Sequence, residues 1–194
     1  MQIVEKTRKT KETEIKLKFN PKGSGIYRIS TGIIFFNHML EQFTYHGNFD
    51  LELEAVSIDK NNHHIVEDIA ITLGQAFIES LGDKKGIKRY SNIILPMDEA
   101  LVMVAVDISG RAFSGIDFNL KDEKTSDFET VLLPHFYNSF VQKSDITLHI
   151  KQLAGFDTHH IIECSFKAFA RALRTAIETD NAHSDDVPST KGIL

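Results

Sequence analysis

The chain has 194 residues, 42% hydrophobic and 25% charged, with 14 Phe and a formal net charge of -5. That composition buries a core and excludes a disordered chain, and the acidic balance argues against a nucleic-acid partner held through phosphate contacts. Cys164 is the single cysteine, so no intrachain disulfide forms and the cytoplasm is the expected compartment; the opening MQIVEKTRKTKETE has no signal-type apolar run, and no stretch approaches the roughly 20 apolar residues that span a bilayer.

In chain order, a weak strand candidate at 1–7 precedes a clear one at 13–19 (TEIKLKF), followed by a second weak candidate at 25–29. Residues 34–45 carry the helical period, with Phe36, Met39, Leu40 and Phe43 on one face. A strand at 50–58 (DLELEAVSI) leads to the clearest helix, 63–81. Its apolar stripe is Ile65, Ile69, Leu73, Ala76, Phe77 and Leu81, with Asn62 read as the N-cap and Gly82 as the stop. Beyond it come strands at 89–95 (weak), 100–108 (ALVMVAVDI), 112–118 (weak) and 145–152 (DITLHIKQ), with a helix around His135 before the last strand. A final helix, 159–178, has the stripe Ile161, Ser165, Ala168, Ala172, Leu173 and Ala176, with Thr158 read as its N-cap.

The second series repeats the first. FFNHMLEQF (35–43) matches LLPHFYNSF (132–140), so that His38 and His135 are 97 positions apart. DLELEAV (50–56) matches DITLHIK (145–151) at 95 positions, and NHHIVED (62–68) matches THHIIEC (158–164) at 96. Three landmarks in one order predict a tandem duplication, with a first half at 1–86, a second at 87–182 and a tail at 183–194. Each half reads β-β-β-α-β-α. The expected fold is α+β, with two four-stranded sheets, two helices per half, and the helices packed between the sheets.

The repeated histidines carry the chemistry. Residues i and i+4 on a helix are only about 40° apart around the axis. His63 and Glu67 therefore share a face, His159 and Glu163 share the matching one, and His64 and His160 point elsewhere. A metal-binding pair at one repeat position is unremarkable; the same HHxxE run at both is not required by folding. Dividing the donors by symmetry gives one site from His38, His63 and Glu67 with His160, and another from His135, His159 and Glu163 with His64. Imidazole with carboxylate suits Mn, Fe, Co, Ni or Zn, and a six-ligand ion would keep positions open for a substrate. His149 and His183 have no such partner and are read as structural and solvated.

The chain resembles the imidazoleglycerol-phosphate dehydratase family through TKETEI (10–15), TGIIFFNHMLEQFTYHG (31–47), DKNNHHIVEDIAITLGQA (59–76), PMDEALVMVAVDISGR (96–111), THHIIECSFKAFARALRTA (158–176) and PSTKG (188–192). Asn37 and Asp157 depart from the family's usual Asp and Asn. The resemblance implies a hydro-lyase of histidine biosynthesis that converts D-erythro-imidazole glycerol phosphate to imidazole acetol phosphate and water. It implies two Mn ions held by the eight donors named above, and a 24-subunit shell with active sites at subunit contacts. It also implies Glu12 as the acid/base group, with Gln42, His46, Arg89, Arg111, Lys167, Ser189 and Lys191 binding the substrate and its phosphate. On this reading the substrate ring is held as imidazolate, its electrons expel the hydroxyl through a diazafulvene-like intermediate, and an enol then becomes the ketone. Two other functions fit the histidines. A dinuclear hydrolase would release phosphate or ammonia instead, and a metal-storage protein would leave Arg111, Ser189 and Lys191 unexplained.

Overall fold

The period-two segments of the first half form four strands in the computed structural model, which describes residues 1–192 and 194. They are β1 (Val4–Lys9), β2 (Thr13–Asn20), β3 (Tyr27–Ser30) and β4 (Asp50–Ser57), hydrogen-bonded in the order β1-β2-β4-β3. Ile15, Leu17, Phe19, Leu51 and Leu53 point inward and are buried, while Lys16, Lys18, Glu52 and Glu54 alternate with them outward. β3 joins β4 in parallel. A parallel neighbour needs a crossover, and helix α1 (Ile34–Gly47) supplies it. Helix α2 (Asn62–Leu81) completes this half.

The second half repeats the plan. Strands β5 (Tyr90–Met97), β6 (Ala100–Asp107), β7 (Phe113–Asp117) and β10 (Thr147–Ala154) pair in the order β5-β6-β10-β7, again with the third strand parallel to its neighbour. Its helices are α3 (Leu132–Ser144) and α4 (Thr158–Ala176). The α+β fold read from the sequence is the fold found. One element was not anticipated, a small hairpin of β8 (Lys124–Thr125) and β9 (Phe128–Glu129) between β7 and α3. Its Phe128 is fully buried against the Phe35 and Phe36 rings of α1, at 5.7 and 5.8 Å between centroids. Its turn residue Asp127 accepts the Ile34 and Phe35 amides at 2.6 and 2.9 Å, capping a helix whose own N-cap, Ile33, has no side-chain bond to give.

The helices cross between the halves. α2 lies on the first sheet and α4 on the second, but α1 packs against α4 and α3 against α2. Gly74 makes the second contact close, because a Cβ there would stand 2.5 Å from the Phe140 carbonyl oxygen of α3. Phenylalanines tie the four together, with Phe43 at 5.7 Å from Phe169, Phe77 at 5.8 Å from Phe140, and Phe140 at 5.2 Å from Phe169. The core is accordingly continuous across both halves.

Two cap assignments move by one residue. The extended residue before the first helical one is the cap. Asn61 accepts the His63 amide, and Asp157 accepts those of His159 and His160. Asn62 and Thr158, already helical, turn their side chains to Glu129 and Asp122. Among the described residues, no helix is long and apolar enough to cross a membrane.

Candidate metal centres

The crossing of the helices decides which donors meet. His38 on α1 faces α4, where its Nε2 lies 3.3 Å from Glu163 Oε2, and His159 Nε2 lies 3.0 Å from the same oxygen. His135 on α3 faces α2, stacking on His63 at 4.2 Å between ring centroids with its Nε2 3.8 Å from Glu67 Oε1. In each group one donor atom per residue lies within 4.8 Å of the others. The symmetric division by halves is thereby corrected. His38 joins His159 and Glu163, and His135 joins His63 and Glu67, because each site histidine projects from a helix that packs on the other half.

Both clusters offer two imidazoles and a carboxylate. His135 Nε2 is buried with no hydrogen-bond partner among the described residues, and a buried polar atom of that kind calls for a partner. Glu163 is only 6% exposed. Burial pushes its carboxyl up, but Lys167, with Nζ 2.7 Å from Oε1, and the His159 bond outweigh this and hold it below the ordinary carboxylate range.

His64 and His160 lie outside both clusters. Each is tied through Nδ1 to a carboxylate of its own half, His64 to Asp59 at 2.5 Å and His160 to Glu99 at 2.8 Å. These bonds raise both imidazole pKa values. A histidine held through Nδ1 presents Nε2 as its remaining donor, the arrangement common behind metal ligands. Asp59 and Glu99 were not found by sequence reasoning. Their only signal was position, at the turns facing the two helix starts.

Glu12 and Glu99 occupy matching turns, β1–β2 and β5–β6, yet differ in their bonding. Glu99 accepts from His160 and from the Asp157 amide at 2.9 Å, and these bonds push its pKa down to about 2. The Glu12 carboxylate is half-exposed and lies 3.8 Å from His64 Nδ1. Glu99 is thus held by its bonds, whereas no hydrogen bond among the described residues engages the Glu12 carboxylate.

A profile of the family described as imidazoleglycerol-phosphate dehydratase matches residues 31–173. An imidazoleglycerol-phosphate dehydratase of Caldicellulosiruptor bescii is 51% identical over 193 residues, covering 99% of this chain and 98% of its own. The chain belongs to the imidazoleglycerol-phosphate dehydratase family. It is a hydro-lyase. The chloroplastic imidazoleglycerol-phosphate dehydratase 1 of Arabidopsis thaliana is 45% identical over 99% of this chain and 72% of that one. Among solved structures, the imidazoleglycerol-phosphate dehydratase of Staphylococcus aureus superposes with a TM-score of 0.84 at 37% identity, covering 92% of this chain and 100% of that one. That of Pyrococcus furiosus gives 0.83 at 39%, covering 97% and 100%.

The remaining residues that the family resemblance singles out fall into separate groups. Gln42 and His46 follow His38 at helical spacing along α1, and Lys167 follows Glu163 along α4, so these line up beside the His38 cluster. Partial burial and the nearby Lys167 and Arg171 lower the His46 pKa. Arg89 instead grips Asp107 through two bonds of 2.7 and 3.2 Å and donates to the Pro188 carbonyl at 2.9 Å. It shares a cleft of about 840 Å³ with Ser189 and His183, and no member of either histidine cluster lines it. Arg111 turns back to the Ser109 carbonyl, and the exposed Lys191 gives its amide to Ser189 Oγ. The chain thus does not gather the seven into one pocket. Of the two departures, Asn37 accepts the Thr31 amide and hydroxyl, bracing the turn into α1, and Asp157 is the α4 cap.

Proposed function

We propose that this chain dehydrates D-erythro-imidazole glycerol phosphate to imidazole acetol phosphate at a site that uses two manganese ions. The observation that carries the reading is the pair of His–His–Glu clusters, built twice by the same helix geometry in a chain of this family. His38, His159 and Glu163 would hold one ion, and His63, Glu67 and His135 the other. The donor set suits Mn without excluding Fe, Co, Ni or Zn, and the unpartnered His135 Nε2 fits a ligand role. When bound, the ions supply Lewis acidity that favours negative charge on the substrate's imidazole ring.

The chain's own groups do the rest. Glu12 moves the proton of the carbon bearing the ring, a proton too weakly acidic to leave unaided. Arg89, Arg111, His46, Lys167, Ser189 and Lys191, which one chain does not gather, bind the phosphate where copies meet, Arg111 through paired bonds and Lys as a point charge. Gln42 meets the hydroxyls, and the segment PSTKGIL (188–194), of which residue 193 lies outside the described residues, closes over the substrate. His64 and His160, each held from behind and outside both clusters, are the donors left to complete the clusters of another copy. On this reading the active site lies at contacts between subunits of a homo-oligomer, for which the family resemblance implies 24 copies, and the single cysteine is in keeping with the cytoplasm.

The test is an assay of purified protein for ketone formation from imidazole glycerol phosphate, with metal counted by elemental analysis. Two ions per chain are expected, with turnover lost on chelation and restored by manganese. Full turnover by metal-free protein, or release of phosphate or ammonia in place of the ketone, would overturn the reading.

A further inference from the structure

Asp68 follows Glu67 on α2 and is 5% exposed. One of its oxygens accepts Arg8 Nε at 2.7 Å and the other accepts Thr13 Oγ1 at 2.5 Å. Both partners belong to the β1–β2 hairpin, and Thr13 comes directly after Glu12. The turn is also knit internally. Thr10 Oγ1 accepts the amides of Glu12 and Thr13 at 3.1 and 3.0 Å, and the Glu12 carbonyl accepts the Ile58 amide at 2.7 Å. A continuous set of bonds therefore runs from the helix bearing His63 and Glu67 to the turn bearing Glu12.

The second half shows what this arrangement is not needed for. Arg8 faces Ile15 across β1 and β2, as Leu95 faces Val102 across β5 and β6. Thr13 opens β2 as Ala100 opens β6, and Asp68 follows HHIVE as Cys164 follows HHIIE. α4 docks on β5 and β6 with Leu95, Ala100 and Cys164 in the places of Arg8, Thr13 and Asp68, the thiol simply donating to the Leu95 carbonyl at 3.0 Å. Docking a helix on this hairpin thus succeeds without an ion pair. The pair is only partly buried, with the Arg8 side chain 35% and that of Asp68 7% exposed, and ion pairs open to solvent on one side contribute little to stability, so stability alone does not account for the polar version. What differs between the halves is the turn glutamate. Glu99 is fixed by its own bonds, whereas no hydrogen bond among the described residues orients the Glu12 carboxylate.

We infer that Arg8, Asp68 and Thr13 are positioning residues that hold the β1–β2 turn against α2 so that the Glu12 carboxylate is aimed at the reacting carbon. The inference rests on the reading of Glu12 as the proton carrier. A misplacement near 1 Å costs a reaction about 10²-fold, so loosening this turn acts on turnover with little effect on binding.

The experiment transplants the second half's solution into the first, as the triple variant Arg8→Leu/Thr13→Ala/Asp68→Cys, measured beside Glu12→Gln. The expected result is a kcat lower by about 10- to 100-fold, with KM and metal content kept and faster amide hydrogen exchange over residues 10–13. Thr13→Val alone lowers kcat in the same way, and Thr13→Ser, which keeps the hydroxyl, restores it. A triple variant with parental kcat, while Glu12→Gln is inactive, overturns the positioning role and leaves Glu12 in place. Full turnover by Glu12→Gln overturns the underlying reading instead. If the triple variant does not fold, equal kcat in Thr13→Val and Thr13→Ser overturns the proposal.

Discussion

Two glutamates at the same place in two hairpins have different surroundings, Glu99 being held by His160 and the Asp157 amide while the Glu12 carboxylate is half-exposed. Glu12→Gln is expected to lower kcat by about 10²–10⁴-fold, the usual contribution of a positioned general acid or base. Metal content by elemental analysis and substrate KM should stay near those of the parent. Glu99 and His160 make a separate prediction about stability in chelated, metal-free protein. The Glu99 pKa falls from 4.5 to about 2 on folding, so its contribution is present above 4.5 and is lost as pH falls toward 2. The His160 pKa is raised above 6.5, so its contribution is full below 6.5 and fades as pH climbs through the higher folded value. Denaturant unfolding of Glu99→Gln should therefore differ from the parent mainly between about pH 4.5 and 6.5, and a gap that keeps widening to pH 9 would refute the pairing. At this scale the sequence was legible wherever helix geometry ruled, since four-residue spacing alone puts His63 beside Glu67 and leaves His64 aside. The carboxylates behind His64 and His160 were not legible, because Asp59 and Glu99 reach them from turns whose approach depends on the whole sheet.

Among the elements, the long periodic ones were readable and the short ones were not. α2 and α4 announce themselves by their apolar stripes, and every residue named in those stripes is buried. The β8–β9 hairpin has two residues per strand, too few for any period to show. It nonetheless supplies the cap of α1, and so helps to set where His38 stands. Asp127→Ala should cost about 1 kcal/mol, as loss of a helix cap typically does, measured by denaturant unfolding at neutral pH. Burial raises the Asp127 carboxyl, but the Phe35 and Ile34 amides hold it below 3.8. Its contribution is therefore present above 3.8 and is lost as pH falls through the lower folded value. The difference between parent and variant should shrink in strong acid, and a difference independent of pH would mean that the lost interaction is packing and not the carboxylate.

Across the whole molecule, the repeat was visible in the residues while the pairing of its parts was not. Matching segments reveal which donors correspond. They do not reveal that α1 leans on α4 and α3 on α2, since helix partners are chosen by core volume, by the small residue at Gly74 and by the phenylalanines between the layers. That crossed pairing means neither repeat owns all three members of either His–His–Glu cluster. Cut between α2 and β5, the polypeptide would yield two fragments, each carrying a lone histidine for one centre and a His–Glu pair for the other. A one-repeat precursor could have assembled the same donors only by embracing its twin about a twofold axis, where both centres would have been a single site seen twice. Joining such twins into one polypeptide would release the two centres from that identity and leave the two HHxxE helices free to diverge.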